Sequence, residues 1–131
     1  MGIEVAKHSD PNFVDIVDKA LSDLAQLPPN WDGYGAPVID RTVIAAARKF
    51  VQSLPETLVC RPKVVPLSAG TLQLEWHNGP KVLELEFEDP HTIHYLQWHP
   101  QAQTEEEDIF PASDIAKAVE LIQWFSNGAP R

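Results

Sequence analysis

Thr71-Leu72-Gln73-Leu74-Glu75-Trp76-His77, then Asn78-Gly79-Pro80, then Lys81-Val82-Leu83-Glu84-Leu85-Glu86-Phe87-Glu88, sets the architecture of this chain. Both arms alternate apolar and polar residues, and an Asn-Gly pair between such arms signals a β-hairpin. Closing the pair symmetrically around Asn78-Gly79 sets Leu74 against Leu83, Leu72 against Leu85 and Trp76 against Lys81. The opposite face collects Gln73, Glu75, Glu84, Glu86 and Glu88. Strand side chains alternate sides, so one register accounts for an apolar row and an acidic row together.

Further strands flank the hairpin. Lys63-Val64-Val65, bracketed by Pro62 and Pro66, suits an edge strand. A strand from Thr92 to Trp98 follows. A three-residue loop at Asp89-Pro90-His91 sets Ile93 and Tyr95 on the apolar face and His94 opposite Glu86, whereas a two-residue loop reverses all of them. The first is preferred because it buries Ile93 beside Phe87 and gives Glu86 a cationic neighbour. Gln101 to Asp108, with Glu105-Glu106-Glu107-Asp108, reads as a polar connection.

Three amphipathic helices surround these strands. Asp10-Pro11 opens the first, with Phe13, Val17, Ala20, Leu24 and Leu27 at helical spacing, and Pro28-Pro29 ends it. The second runs from about Asp40 to Leu54, with Val43, Ala47, Phe50 and Leu54 inward, joined by Ile44 and Val51. Arg41, Arg48 and Lys49 form its basic outer side, and Pro55 ends it. The third runs from Ser113 or Asp114 to about Phe125, with Ile115, Val119, Ile122 and Phe125 inward and Asn127-Gly128 as its cap. The expected fold is α+β: an antiparallel meander of three to four strands, with two N-terminal helices and one C-terminal helix packed on one face. One domain is expected over residues 1–131, with 1–9 a loosely ordered N-terminal segment.

The chain has 131 residues, 44% of them hydrophobic and 22% charged, which is enough for a core and inconsistent with wholesale disorder. Its net charge of −9 is uneven: up to Pro66 there are seven Lys/Arg against eight Asp/Glu, and from Leu67 onward three against eleven. Such a field repels nucleic-acid backbone and favours a basic protein partner. Cys60 is the sole cysteine, so no internal disulfide forms, a reduced compartment is expected, and the residue reads as core-lining. Met1-Gly2-Ile3-Glu4-Val5-Ala6 lacks the regions of a signal peptide and the hydroxyl residue of a myristoylation site, and no apolar run approaches a membrane span. A cytoplasmic location is expected.

Pro28-Pro29-Asn30-Trp31-Asp32-Gly33-Tyr34-Gly35-Ala36-Pro37 is the most unusual local sequence. Its glycines permit backbone angles closed to other residues, and Asp32 suits an Asx turn. Trp31 and Tyr34 are rings that need either a core slot or a partner. The loop is thus a rigid corner with Trp31 plugging the core, or an exposed recognition loop. With Leu74-Glu75-Trp76-His77 and Leu85-Glu86, the run Asn30 to Pro37 resembles a group of small uncharacterised bacterial proteins that carry an NWDGYGA loop and an LEWH strand. The resemblance spans about Leu24 to Leu96 and implies a bacterial or phage-borne cytoplasmic protein. It brings no activity and no catalytic residues.

Glu75, Glu84 and Glu86 project from one sheet face with His77 and His94 near them. Clustered carboxylates bind hard cations, divide acid and base roles, or meet a basic partner. Like charges directly across a sheet repel, so a histidine, a lysine or arginine from elsewhere, a metal or a partner should offset them. His91, His94 and His99 do not form a metal-ligand motif, and HExxH, G-x-S-x-G and phosphate-loop patterns are absent. Trp76, Trp98 and Trp124 read mainly as core, yet Trp98 and Leu96 facing outward beside Val82 would form an apolar strip bordering the carboxylates.

These readings converge on a non-enzymatic protein-binding module, an antitoxin-, immunity- or inhibitor-like factor whose acidic sheet face engages a basic partner. The candidate contact residues are Glu75, Glu84, Glu86, Trp98, Trp31 and Tyr34. The alternative is a metal-assisted hydrolase with Glu75, Glu84, Glu86 and His94 as ligands. No cofactor is implied. The expected partner is a protein with a basic surface, or a second copy docking its basic second helix; nucleic acid and membrane are not expected.

Overall fold

The computed structural model describes residues 13–55, 58 and 60–127. In chain order these form α1 (Phe13–Ala25), α2 (Arg41–Gln52), β1 (Lys63–Pro66), β2 (Leu72–Asn78), β3 (Lys81–Asp89), β4 (Thr92–His99), β5 (Thr104–Pro111) and α3 (Ile115–Asn127). The fold is α+β, with an open antiparallel sheet of five strands in the order β1-β2-β3-β4-β5. The expected helix opening at Asp10-Pro11, the segment 1–9 and the cap at Asn127-Gly128 lie outside the described residues or side chains.

The central hairpin keeps the expected faces but not the expected register. Leu74 faces Leu85, Leu72 faces Phe87 and Trp76 faces Leu83, with Asn78 and Lys81 as the closing pair. The loop is Gly79-Pro80, not Asn78-Gly79. Proline explains the shift. Closure around Asn78-Gly79 would make Pro80 a closing residue, which must donate a backbone N–H that proline lacks. Moving Pro80 into the loop leaves Gly79 first, at φ 70°, as a tight hairpin turn requires. A slip of two residues preserves side-chain parity, so Leu72, Leu74, Trp76, Leu83, Leu85 and Phe87 are all buried.

The next turn combines both loop lengths considered above. Asp89 pairs with Thr92, leaving a two-residue loop, but a bulge at Glu88 then restores Phe87 opposite Ile93 and Glu86 opposite His94. Ile93 and Tyr95 are buried as expected. The segment read as a polar connection is corrected: Thr104–Pro111 is a full edge strand, with Leu96 opposite Glu107 and Trp98 opposite Glu105. The sheet therefore has five strands rather than three or four. The short edge strand β1 was correctly placed.

α2 begins with Asp40 as N-cap, its carboxylate accepting from Thr42 N–H at 2.8 Å. Hydrogen bonding to Thr42 holds this carboxyl below its ordinary range. Phe50 of α2 meets Phe87 edge-on at 5.5 Å. In α3 the buried stripe is Ala118, Leu121, Ile122 and Phe125; Val119, expected inward, is only half-buried. Lys81 is 93% buried, so burial pulls its pKa down, but its Nζ donates to Trp124 O at 2.6 Å and lies 4.6 Å from that ring's centroid. Phe87 and Lys81 both belong to the apolar side of β3, and α2 and α3 touch the sheet there. α1 packs against α2 and touches β1. Arg48, expected on a free basic side of α2, bonds Asp18 and Ser22 of α1.

Candidate binding face of the sheet

The polar face is built from three cross-strand rows. One runs Lys63–Glu75–Glu84–Leu96–Glu107, the next Gln73–Glu86–His94–Ile109, and the third His77–Val82–Trp98–Glu105. Glu75, Glu84, Glu86 and Trp98 thus share one surface, as expected, and Val82 and Leu96 join Trp98 as an apolar strip. Trp98 is 43% exposed. β5 adds Glu105, Glu107 and a 57% exposed Ile109, which the sequence reading missed by treating that stretch as a connection. The signal that could have found them is Ile109-Phe110, an apolar pair at the end of a continuous polar run.

The carboxylates are not equally compensated. Glu75 accepts from Gln73 Nε2 and lies 3.5 Å from His77 Nε2, while Lys63 and Arg61 line the same depression at the β1 edge. His94 stands opposite Glu86, yet its Nε2 is 2.9 Å from Glu107 Oε1, so its ring turns toward β5. Glu84, between these groups on the central strand, has no hydrogen bond or ion pair to a described side chain. Burial raises its pKa, repulsion from Glu75 and Glu86 adds to the rise, and His77 and His94 pull the other way. On the apolar side, Tyr95 donates its hydroxyl to Glu106, and burial with that bond pushes its pKa up to about 12.

Trp31 and Tyr34 do not join this face. Trp31 is partly buried against the core and donates Nε1–H to Pro37 O at 2.9 Å. That is the corner-plug arrangement. Tyr34 is 92% exposed. The expected Asx turn is present: Asp32 Oδ1 accepts from Tyr34 N–H at 2.8 Å and Ala36 N–H at 3.1 Å. Asn30, at φ 63°, accepts from Gly35 N–H at 2.6 Å. Beyond the loop, the N-cap residue Asp40 donates its N–H to Gly70 O in the β1–β2 turn at 2.8 Å.

The hydrolase alternative requires Glu75, Glu84, Glu86 and His94 to converge. Among the described residues, no group of three His, Cys, Asp or Glu side chains could hold a metal ion. Gln73 and His77 engage Glu75, and Glu107 engages His94, which draws both away from a common point. Cys60 packs against the core with Sγ 2.8 Å from Ser126 Oγ, consistent with a core-lining role. No helix among the described residues is long and apolar enough to cross a membrane. No family model matches the chain, and comparison with curated proteins and with solved structures gives no match.

Proposed function

We propose that the chain is a non-enzymatic protein-binding module whose acidic sheet face engages a partner with a basic surface. In this reading all three helices cover the apolar side and leave the rows around Glu84 uncovered. Glu75, Glu84 and Glu86 steer encounter, and Trp98 with Leu96 and Val82 supplies adhesion once water is excluded. The observation that carries the reading is Glu84, only partly offset by His77 and His94 and without a hydrogen bond or ion pair to a described side chain, on the same sheet face as the exposed Trp98. A cation from a partner would relieve repulsion that no described side chain neutralises directly. An antitoxin-, immunity- or inhibitor-like role in a bacterial cytoplasm is the setting we favour; small size, acidity and the resemblance described above support it. Tyr34 forms a separate contact point, while Trp31 is assigned to holding its loop.

The test is capture with the purified chain and with Glu84→Lys/Glu86→Lys. A partner held by the wild type and released by the double variant, with salt-sensitive association, is the expected result. A partner retained equally by both would overturn the assignment to this face.

A further inference from the structure

Away from the acidic face, a groove of about 540 Å³ lies beside the β3–β4 turn, between α2 and the segment that enters α3. Its volume falls in the range of small-molecule sites. Phe50 and Ile115 contribute apolar lining, and Ala45, Ala46 and Ala112 leave the space open because their side chains are short. Lys49 and His91 also line it. No carboxylate is among the described residues that line it, in a chain with nineteen acidic side chains against ten basic ones. The carboxylates adjacent to it in sequence are engaged in their own turns: Asp89 accepts from His91 N–H at 2.7 Å, and Asp114 accepts from Lys117 N–H at 3.1 Å. Lys49 makes no ion pair among the described residues, whereas Arg48 beside it is spent on Asp18.

We propose that this groove binds a small amphipathic anion, an aromatic or alkyl body bearing one carboxylate or phosphate. The body lies against Ile115 over the alanines, above the buried Phe50, and the anionic group meets the Lys49 ammonium, with the His91 ring as a second donor. Neutral compounds of the same shape gain the apolar contact alone. Peptides and a second copy of the chain are less suited, because the hollow is short and the chain's surface is dominated by negative charge.

Three probes test this: 2-naphthoate, 2-naphthyl phosphate and the neutral 2-naphthalenemethanol, titrated into ¹⁵N-labelled full-length chain. The expected result is saturable shifts of the Ala45, Ala46, Lys49 and Ala112 amides, with an anionic probe binding about threefold or more tighter than the neutral one. The stronger of the two anions identifies the head group. Lys49→Gln should erase the preference for the anion, and Ala45→Trp, at an exposed helix position, should close the groove to all three probes. Absence of saturable shifts at the groove would overturn the proposal, as would an anion preference that survives Lys49→Gln. So would a wild-type dimer that Ala45→Trp dissociates, since the groove would then belong to a second copy.

Discussion

Replacing Glu84 with Gln should stabilise the free protein at neutral pH. Glu84 stands opposite Glu75 on β2 and two residues from Glu86 on its own strand, and burial and both neighbours raise its pKa. Two charges about 6 Å apart in a water-like medium repel by about 0.7 kcal/mol, within the range for like charges facing across a sheet. His77 and His94 offset part of this, and solvent screens the half-buried carboxyl, which leaves about 0.5 kcal/mol. In a domain of this size that corresponds to roughly 2 °C in Tm. The sign follows from linkage. A carboxyl whose folded pKa lies above its unfolded value penalises the folded state fully once both forms are ionised, and not at all below the unfolded value. The advantage of Glu84→Gln is therefore complete at pH 7 and shrinks as pH falls through the folded pKa toward about 4.

Urea denaturation of both proteins at pH 7 and pH 3.5, repeated in low and high salt, measures this difference. Glu88→Gln, at the exposed bulge residue, serves as a control and should change little. A Glu84→Gln protein that is no more stable at pH 7 would refute the argument. A gain of equal size at pH 3.5 would refute it too, since the origin would then not be charge.

Other expected outcomes follow from local geometry. Gly70 has φ 90°, and a Cβ there would lie 3.2 Å from Pro37 Cγ and from Val38 O; Gly70→Ala should cost about 1–3 kcal/mol in chemical denaturation. Trp31→Ala should cost about 2 kcal/mol through lost packing, whereas Tyr34→Ala should stay within about 0.5 kcal/mol, and comparing the two by denaturation checks the division of the loop. Asp40→Ala should lower Tm at neutral pH. Because this carboxyl's pKa is depressed in the folded state, that loss should fade as pH falls through the folded value, as thermal scans across acidic pH would show.

Side-chain parity was legible in the sequence; register was not. Leu72, Leu74, Trp76, Leu83, Leu85 and Phe87 were assigned to the right side because burial depends on odd against even position. A two-residue slip leaves that pattern intact, so periodicity cannot distinguish Gly79-Pro80 from Asn78-Gly79. Only the missing N–H of Pro80 does. The bulge at Glu88 is invisible for a related reason: it changes parity once and the loop changes it back. β5 was overlooked because Glu105-Glu106-Glu107-Asp108 carries no alternation. Its membership in the sheet comes from pairing with β4, and a charged, exposed edge strand is a common way to discourage unwanted strand addition. The Arg48 contacts to α1 were also hidden, because basic residues at that helical spacing look like a free polar side until a neighbouring helix is placed.

The acidic face is legible as a composition, but its uneven compensation depends on which strands lie side by side. Lys63 and Arg61 reach the Glu75 side because β1 pairs with β2, and β5 draws His94 toward Glu107. Lys63 sits on the β1 border and His94 on β4 is engaged by Glu107, while β3 in the middle contributes only Val82, Glu84 and Glu86 to the face. A five-stranded order therefore concentrates residual repulsion at the centre, beside Trp98, where an approaching partner would be most completely desolvated. The strand that the sequence concealed is thus the one whose Glu107 takes the His94 ring.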